Sequence, residues 1–275
     1  MALASSAPHG AVFKFGSDIG FAGGYLRQQV DFFAQELSDV IGRGDDTWSK
    51  AIVFSGAVAL GGSVLPPNIH TNPQVARRVK AAYGQALIQQ ELTRCFTGSR
   101  SVISELAFPL LTNEDFEHGD GVVALTPETE EVLRTGIAVE NSLTIINTND
   151  SMGTELEPPY NSNDIVAALV ANAINARELF LFTDVGGVYR NYGTEQASLI
   201  GRASIEDDWD MLMNVCVDVT SQSGTGGMFS KIQAGRYFLQ HNNVENTKLV
   251  YIAQLLPKDA IDGARSSGTF LKWAS

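Results

Sequence analysis

The stretch "NSNDIVAALVANAINARELFLFTDVGGVY", residues 161–189, carries two periodicities back to back. Over 163–175 apolar residues recur at three- and four-residue spacing, which predicts a helix. From Glu178 the run "ELFLFTDV" is apolar almost without alternation, as expected of a strand covered on both faces, and it ends in "GGVYRNYG", a glycine-bearing loop. The same order of apolar run and loop recurs along the chain. "AVFKF" (Ala11–Phe15) runs into "GSDIGFAGG", "KAIVF" (Lys50–Phe54) into "SGAVALGG", and "SLTIINTND" (residues 142–150) into a polar loop. Further helices are predicted over residues 25–41, 72–96 and 127–140. Strands alternating with helices imply an α/β protein with a mostly parallel sheet and helical layers on both faces.

Composition narrows the function classes. At 275 residues and 44% hydrophobic, the chain can bury the core of one large domain, read here as residues 1–275. An N-terminal lobe over about 1–175 and a C-terminal lobe over about 176–275 would share the sheet. No apolar run reaches the length of a membrane span, and "MALASSAPHG" has neither a basic region nor a long apolar segment, so a cytoplasmic protein without a membrane partner is expected. Cys95 and Cys216 are too few for a disulfide framework or a structural zinc site. A net charge of −12 argues against nucleic acid as a partner. Any anion bound here must be held by a local cluster of donors.

Candidate clusters sit in the loops. "SQSGTGGMFSKIQAGRYFL" (residues 221–239) places Gly224, Gly226 and Gly227 ahead of an amphipathic helix with Lys231 in its first turns. Glycine amides at a helix N-terminus accept close approach by a phosphate, and the lysine adds a point charge. Lys14 lies inside an apolar strand, where it needs a carboxylate or a ligand. "FSGAVALGG" repeats the plan with Ser55 before Gly56, and no loop matches the Walker or dinucleotide-binding patterns. Asp150 ends "INTND", Asn163 and Asp164 open a predicted helix, and Thr183 and Asp184 end a strand. Each aspartate alone reads equally as a cap or turn residue. Together they fall at the ends of three predicted parallel strands, on the edge where open α/β sheets bind ligands.

These segments resemble a known family. "KFGSDIG", "FSGAVALGG", "AAYGQALIQQ", "LLTNEDFE", "IINTND", the 161–189 stretch and "GTGGMFSKIQA" follow, in order, the motifs of the glutamate 5-kinases of the amino acid kinase superfamily. The resemblance implies a three-layer α/β/α sandwich, with the amino acid on the N-terminal lobe and ATP on the C-terminal lobe. It implies that Lys14 and Lys231 neutralise the transferring phosphoryl group while Asp164 orients them. It assigns Ser55, Asp150 and Asn163 to the amino-acid substrate. Lys14, Gly16, Thr183, Asp184, Gly226, Gly227, Met228 and Lys231 go to the nucleotide, and Gly56 also offers its amide to phosphate. Mg²⁺ is expected to be held mainly by the ATP phosphates, with no protein metal site. Glutamate's side-chain carboxylate, ionised at neutral pH, needs no general base, so positioning and charge neutralisation remain for the protein. A homo-oligomer and a separate reductase receiving the labile acyl phosphate are the expected partners.

The pattern also departs from the family. Thr148 stands where "INEND" has glutamate, and Ser162 where "GDND" has aspartate. "ALTPETEEVL" (residues 124–133) replaces "NARNT", and "RNYG" (residues 190–193) replaces "TADP". The chain ends at "GTFLKWAS", so neither the RNA-modification-type PUA domain common in bacterial members nor a fused reductase is expected. Two other readings therefore stand beside glutamate phosphorylation: a divergent kinase acting on another small carboxylate or a phosphonate in a specialised pathway, and a nucleotide-binding sensor without turnover.

Overall fold

A computed structural model describes residues 10–16, 31, 34–38, 50–97, 103–119, 122–152, 162–217, 227–241, 247–254 and 260–274. Its strands in chain order are β1 (Ala11–Phe15), β2 (Lys50–Phe54), β3 (Glu105–Ala107), β4 (Leu110–Leu111), β5 (Phe116–Gly119), β6 (Val122–Leu125), β7 (Ser142–Thr148), β8 (Glu178–Thr183), β9 (Tyr189–Arg190), β10 (Ser198–Leu199), β11 (Arg202–Ser204), β12 (Leu249–Gln254) and β13 (Thr269–Lys272). The helices are α1 (Ala57–Val64), α2 (Pro73–Phe96), α3 (Pro127–Ile137), α4 (Asn163–Ala173), α5 (Trp209–Val217), α6 (Met228–Gln240) and α7 (Ala260–Ser267). Of the helix predicted over 25–41, residues 31 and 34–38 are described and are helical.

Among the described residues one sheet runs in the order β11-β13-β12-β8-β1-β2-β7-β3, with β4 also on β7. Every pairing in it is parallel except β12 with β13. Continuous apolar runs serve both faces because alternate side chains point opposite ways. Val12, Val53, Leu179, Leu181, Val250 and Ile252 join a core with α4, α5 and α6. Phe13, Phe15, Ile52, Phe54, Phe180 and Phe182 join a second core with α2 and α7. The second core is laddered with aromatic rings: Phe13 and Phe180 have centroids 5.0 Å apart, and Phe180 and Tyr251 4.8 Å. Two cores on two faces make the three-layer sandwich.

The strand alternation also places Lys14. It shares the parity of Val12, and so projects from the sheet toward α4 and α6, whereas Phe13 and Phe15 face the other layer. Helix α4 is buried almost throughout, from Asp164 to Ala171, which its small apolar residues permit.

One expectation fails. "SGAVALGG" is not a glycine loop: Ala57–Val64 is helix α1, and only Gly56 turns, at φ 102°, a left-handed conformation that favours glycine. Its remaining glycines serve packing against α2. A Cβ on Gly61 would lie 1.8 Å from the Lys80 carbonyl oxygen, and one on Gly84 would lie 1.7 Å from that of Ala57. The predicted 127–140 helix stops at Ile137, with Asn141 turning at φ 55° into β7. "GGVYRNYG" carries a short antiparallel pair, β9 with β10.

Candidate active site

Parallel pairing sends the C-terminal ends of β1, β2, β7 and β8 to the same edge of the sheet. Asp164, in the first turn of α4, is fully buried there. Lys14 Nζ lies 2.7 Å from its Oδ1, and Lys231 Nζ, from the first turns of α6, lies 3.3 Å from its Oδ2. Both lysines are themselves buried. Ser230 adds a 2.5 Å hydrogen bond from its hydroxyl to Oδ2. Burial alone would raise the carboxyl's pKa, but the charges of Lys14 and then Lys231, with hydrogen bonds from Lys14 and Ser230, hold it well below the usual carboxylate range. Among the described residues, two buried ammonium groups stand against one buried carboxylate. Such a site favours an incoming anion.

Position 162 remains a cap despite its change of residue. Ser162 Oγ accepts from the Asp164 backbone N–H at 3.2 Å, so serine keeps the N-cap work an aspartate would do there. The next two residues, Asn163 and Asp164, then face two neighbouring sites. Asn163 Nδ2 donates to Asn147 Oδ1 at 3.2 Å, and Asn147 Nδ2 donates to Gln85 Oε1 at 2.9 Å. Thr148 Oγ1 lies 3.4 Å from Asp150 Oδ1 and 3.5 Å from Asn163 Oδ1. A small cleft here is lined by Ala57, Ala81, Gln85, Leu110, Thr148 and Asp150. Burial pushes the Asp150 carboxyl above its ordinary pKa, with the Arg77 guanidinium 3.9 Å away and the Thr148 hydroxyl acting in the opposite direction.

The predicted residues thus form two adjoining groups. Lys14, Asp164 and Lys231 meet directly, with Gly16 beside them: a Cβ on Gly16 would lie 3.7 Å from Lys14 Nζ. Asp150 and Asn163 meet through Thr148. Ser55 is placed at the same edge by its backbone N–H, which donates to Phe15 O at 3.1 Å. Thr183 and Asp184, at the end of β8, hydrogen-bond each other at 3.1 Å. Gly227 is the N-cap of α6, with no side-chain cap, and Met228 packs against the core. Gly224 and Gly226 lie outside the described residues. Sequence reasoning passed over Ser230, Asn147 and Gln85. "FSK", "IIN" and "YGQ" contain them, but a single polar residue in a motif does not announce its partner. The altered 124–133 segment ends β6 and starts α3, and Thr129 Oγ1 ties it to Asp115 of "LLTNEDFE" at 2.8 Å.

Residues 76–248 match the sequence pattern of the amino acid kinase family. The chain belongs to that family. Its relatives include a glutamate 5-kinase of Bacillus mycoides (strain KBAB4), 30% identical over 214 residues, or 78% of this chain and 55% of the relative. A glutamate 5-kinase of Bacillus cereus (strain B4264) is 31% identical over 192 residues, 70% of this chain and 50% of the relative. The chain spans about half the length of these curated relatives. The family fold is shared with a carbamate kinase from Giardia lamblia bound to AMP-PNP, at TM-score 0.65 and 16% identity over 98% of this chain and 100% of that one. It is shared also with a uridylate kinase from Archaeoglobus fulgidus, at TM-score 0.56 and 14% identity over 95% and 99%. Residue 76 falls within α2, so the family match adds Asp150, Asn163, Asp164 and Lys231 to the shared region, while Lys14 and Ser55 join the site through the fold. No helix among the described residues is long and apolar enough to cross a membrane.

Proposed function

We propose that this protein transfers the γ-phosphoryl group of ATP to the side-chain carboxylate of L-glutamate, giving the 5-phosphate that begins proline synthesis. The observation that carries the reading is the buried pair of lysines on one carboxylate, Lys14 and Lys231 around Asp164, at the strand-end edge and at the start of α6. A phosphoryl group in flight spreads negative charge over its oxygens, and two preorganised ammonium groups in a dry site stabilise it. The acceptor carboxylate oxygen forms the new bond to phosphorus as the bond to the β-phosphate bridging oxygen breaks, and ADP leaves. No proton needs to be removed from the acceptor. In this reading the phosphate chain would lie at the start of α6, where no side chain caps the helix, near both ammonium groups, and Mg²⁺ would enter on it to neutralise further charge.

Two lobes of one sheet divide the work in this reading. The acid would sit by Ser55, Asp150 and Asn163, on the β2 and β7 side within residues 1–175. The nucleotide would sit by Thr183, Asp184 and the start of α6, within residues 176–275. The relatives' glutamate 5-kinase names support glutamate as the acceptor. Thr148 favours a second acceptor reading, another small carboxylate, because a neutral hydroxyl here bridges Asp150 and Asn163 where glutamate 5-kinases carry an acid. The test is ADP release with Mg²⁺ and ATP, comparing L-glutamate, close carboxylate analogues and no acceptor, with hydroxylamine to trap acyl phosphate. Glutamate-dependent hydroxamate supports the first reading. Hydroxamate with an analogue alone moves the assignment to that analogue, and no ADP release with any acid overturns both.

A further inference from the structure

We infer that Ser230 is a positioning residue that fixes Asp164 so that Lys231 is free to leave it for the transferring phosphoryl group, an inference that rests on the phosphotransfer reading above. Ser230 and Lys231 are consecutive in the first turns of α6, and both reach the same buried carboxylate. The carboxylate divides its oxygens among them. Oδ1 faces Lys14 at 2.7 Å, and Oδ2 faces the Ser230 hydroxyl at 2.5 Å. Lys231 Nζ stands off from both oxygens, 3.4 Å from Oδ1 and 3.3 Å from Oδ2. It is the looser of the two ammonium groups, and the Ser162 hydroxyl stands farther off still, 3.5 Å from Oδ2.

A hydroxyl has one proton to give. The Ser230 Oγ has two acceptors in reach, Asp164 Oδ2 at 2.5 Å and Gly227 O at 3.0 Å. The charged and nearer oxygen makes the stronger bond. With that neutral donor on Oδ2, Asp164 keeps its orientation without drawing Lys231 into full contact. The Ser162 hydroxyl accepts from the Asp164 backbone N–H at 3.2 Å, and at 3.5 Å from Oδ2 it is too distant to take over from Ser230. Remove the hydroxyl, and Oδ2 has Lys231 as its nearest strong donor. The lysine then closes on the carboxylate, and its departure toward phosphate costs more. The loss falls on the transition state, where the lysine must be on phosphoryl oxygen, and less on nucleotide capture.

The experiment compares wild type with Ser230→Ala, Ser230→Cys and Ser230→Thr, reading kcat and KM for ATP, the affinity for a non-hydrolysable ATP analogue by calorimetry, and the thermal midpoint. Ser230→Ala is expected to lower kcat about tenfold or more, the worth of a hydrogen bond to a charged group. KM and analogue affinity should stay within about threefold, since a positioning role acts on the chemical step. Ser230→Cys, with a weaker donor, should fall between, and Ser230→Thr should restore turnover. Ser230→Ala with wild-type kcat, or a loss that appears equally in analogue affinity, overturns the role. Wild type that binds the analogue and turns over while Thr does no better than Ala overturns it as well. Wild type that neither binds the analogue nor releases ADP overturns the phosphotransfer reading itself, and this inference with it.

Discussion

Replacing Lys231 with methionine separates catalysis from stability at a site where the two are easily confused. Methionine keeps most of the aliphatic stem and removes the ammonium. Asp164 then retains Lys14 at 2.7 Å and the Ser230 hydroxyl at 2.5 Å, so the buried carboxylate is still neutralised and hydrogen-bonded. One of the two buried ammonium groups disappears. Stability should change by only about 1 kcal/mol, because Asp164 keeps Lys14 and Ser230 as partners and the core stays filled. Turnover should fall by about 10²–10³, the usual effect of removing one preorganised donor from developing oxyanion charge. Asp164→Asn instead removes the carboxylate that both buried lysines share. It should cost about 3–5 kcal/mol, or roughly 10 °C in thermal midpoint for a chain this size. The assays are ADP release with hydroxylamine trapping and thermal unfolding on the same preparations. Lys231→Met with turnover within twofold of wild type would refute the assignment of the Lys231 ammonium to phosphoryl transfer. Asp164→Asn as stable as wild type would refute the electrostatic argument beneath it.

Other outcomes follow from single groups. Burial raises the Asp150 carboxyl's pKa, so carrying its charge into the fold costs stability; Asp150→Asn should raise the thermal midpoint while raising the KM for the acceptor acid about tenfold or more. Gly84→Ala should destabilise by about 3 kcal/mol, read by denaturant unfolding, because its Cβ would lie 1.7 Å from the Ala57 carbonyl oxygen. Asp164 has a folded pKa below its unfolded value of about 3.9, so its contribution is complete above that pH and is lost as pH falls through the range below it. The gap in thermal midpoint between wild type and Asp164→Asn should therefore narrow between about pH 5 and pH 2.

The sheet was legible because its information is local. Four continuous apolar runs predicted buried parallel strands, and β1, β2, β7 and β8 sit side by side in the structure. Glycine is the place where local reading misled. In "SGAVALGG" the glycines looked like loop formers, but a glycine that lets two helices touch has the same letter as one that turns a chain. Gly61 and Gly84 are separated by the loop 65–72 and the first half of α2, and only their meeting across α1 and α2 explains both. The short strands β9, β10 and β11 carry no period of their own, since two or three residues cannot display one.

The site divides along the same physical line. Lys14 stood out because burying an ammonium in an apolar strand demands a counter-charge, and its partner is the aspartate that starts α4. Ser230 carried no such demand, since a serine in a helix can return its proton to its own backbone, and here Gly227 O is indeed within 3.0 Å. Thr148 and Ser162 looked like losses of charge. Ser162 is a cap, for which serine and aspartate are near equivalents, so that departure leaves the position of Asp164 intact. Thr148 is different: its hydroxyl lies 3.4 Å from Asp150, where the proposed function seats the acceptor acid and the family pattern has a second carboxylate. One fewer anion there weakens the attraction for an acceptor's ammonium and eases the entry of its carboxylate. Reinstating the charge with Thr148→Glu should therefore favour amino acids over acids that lack the amino group, and the ratio of kcat/KM between such a pair measures it directly.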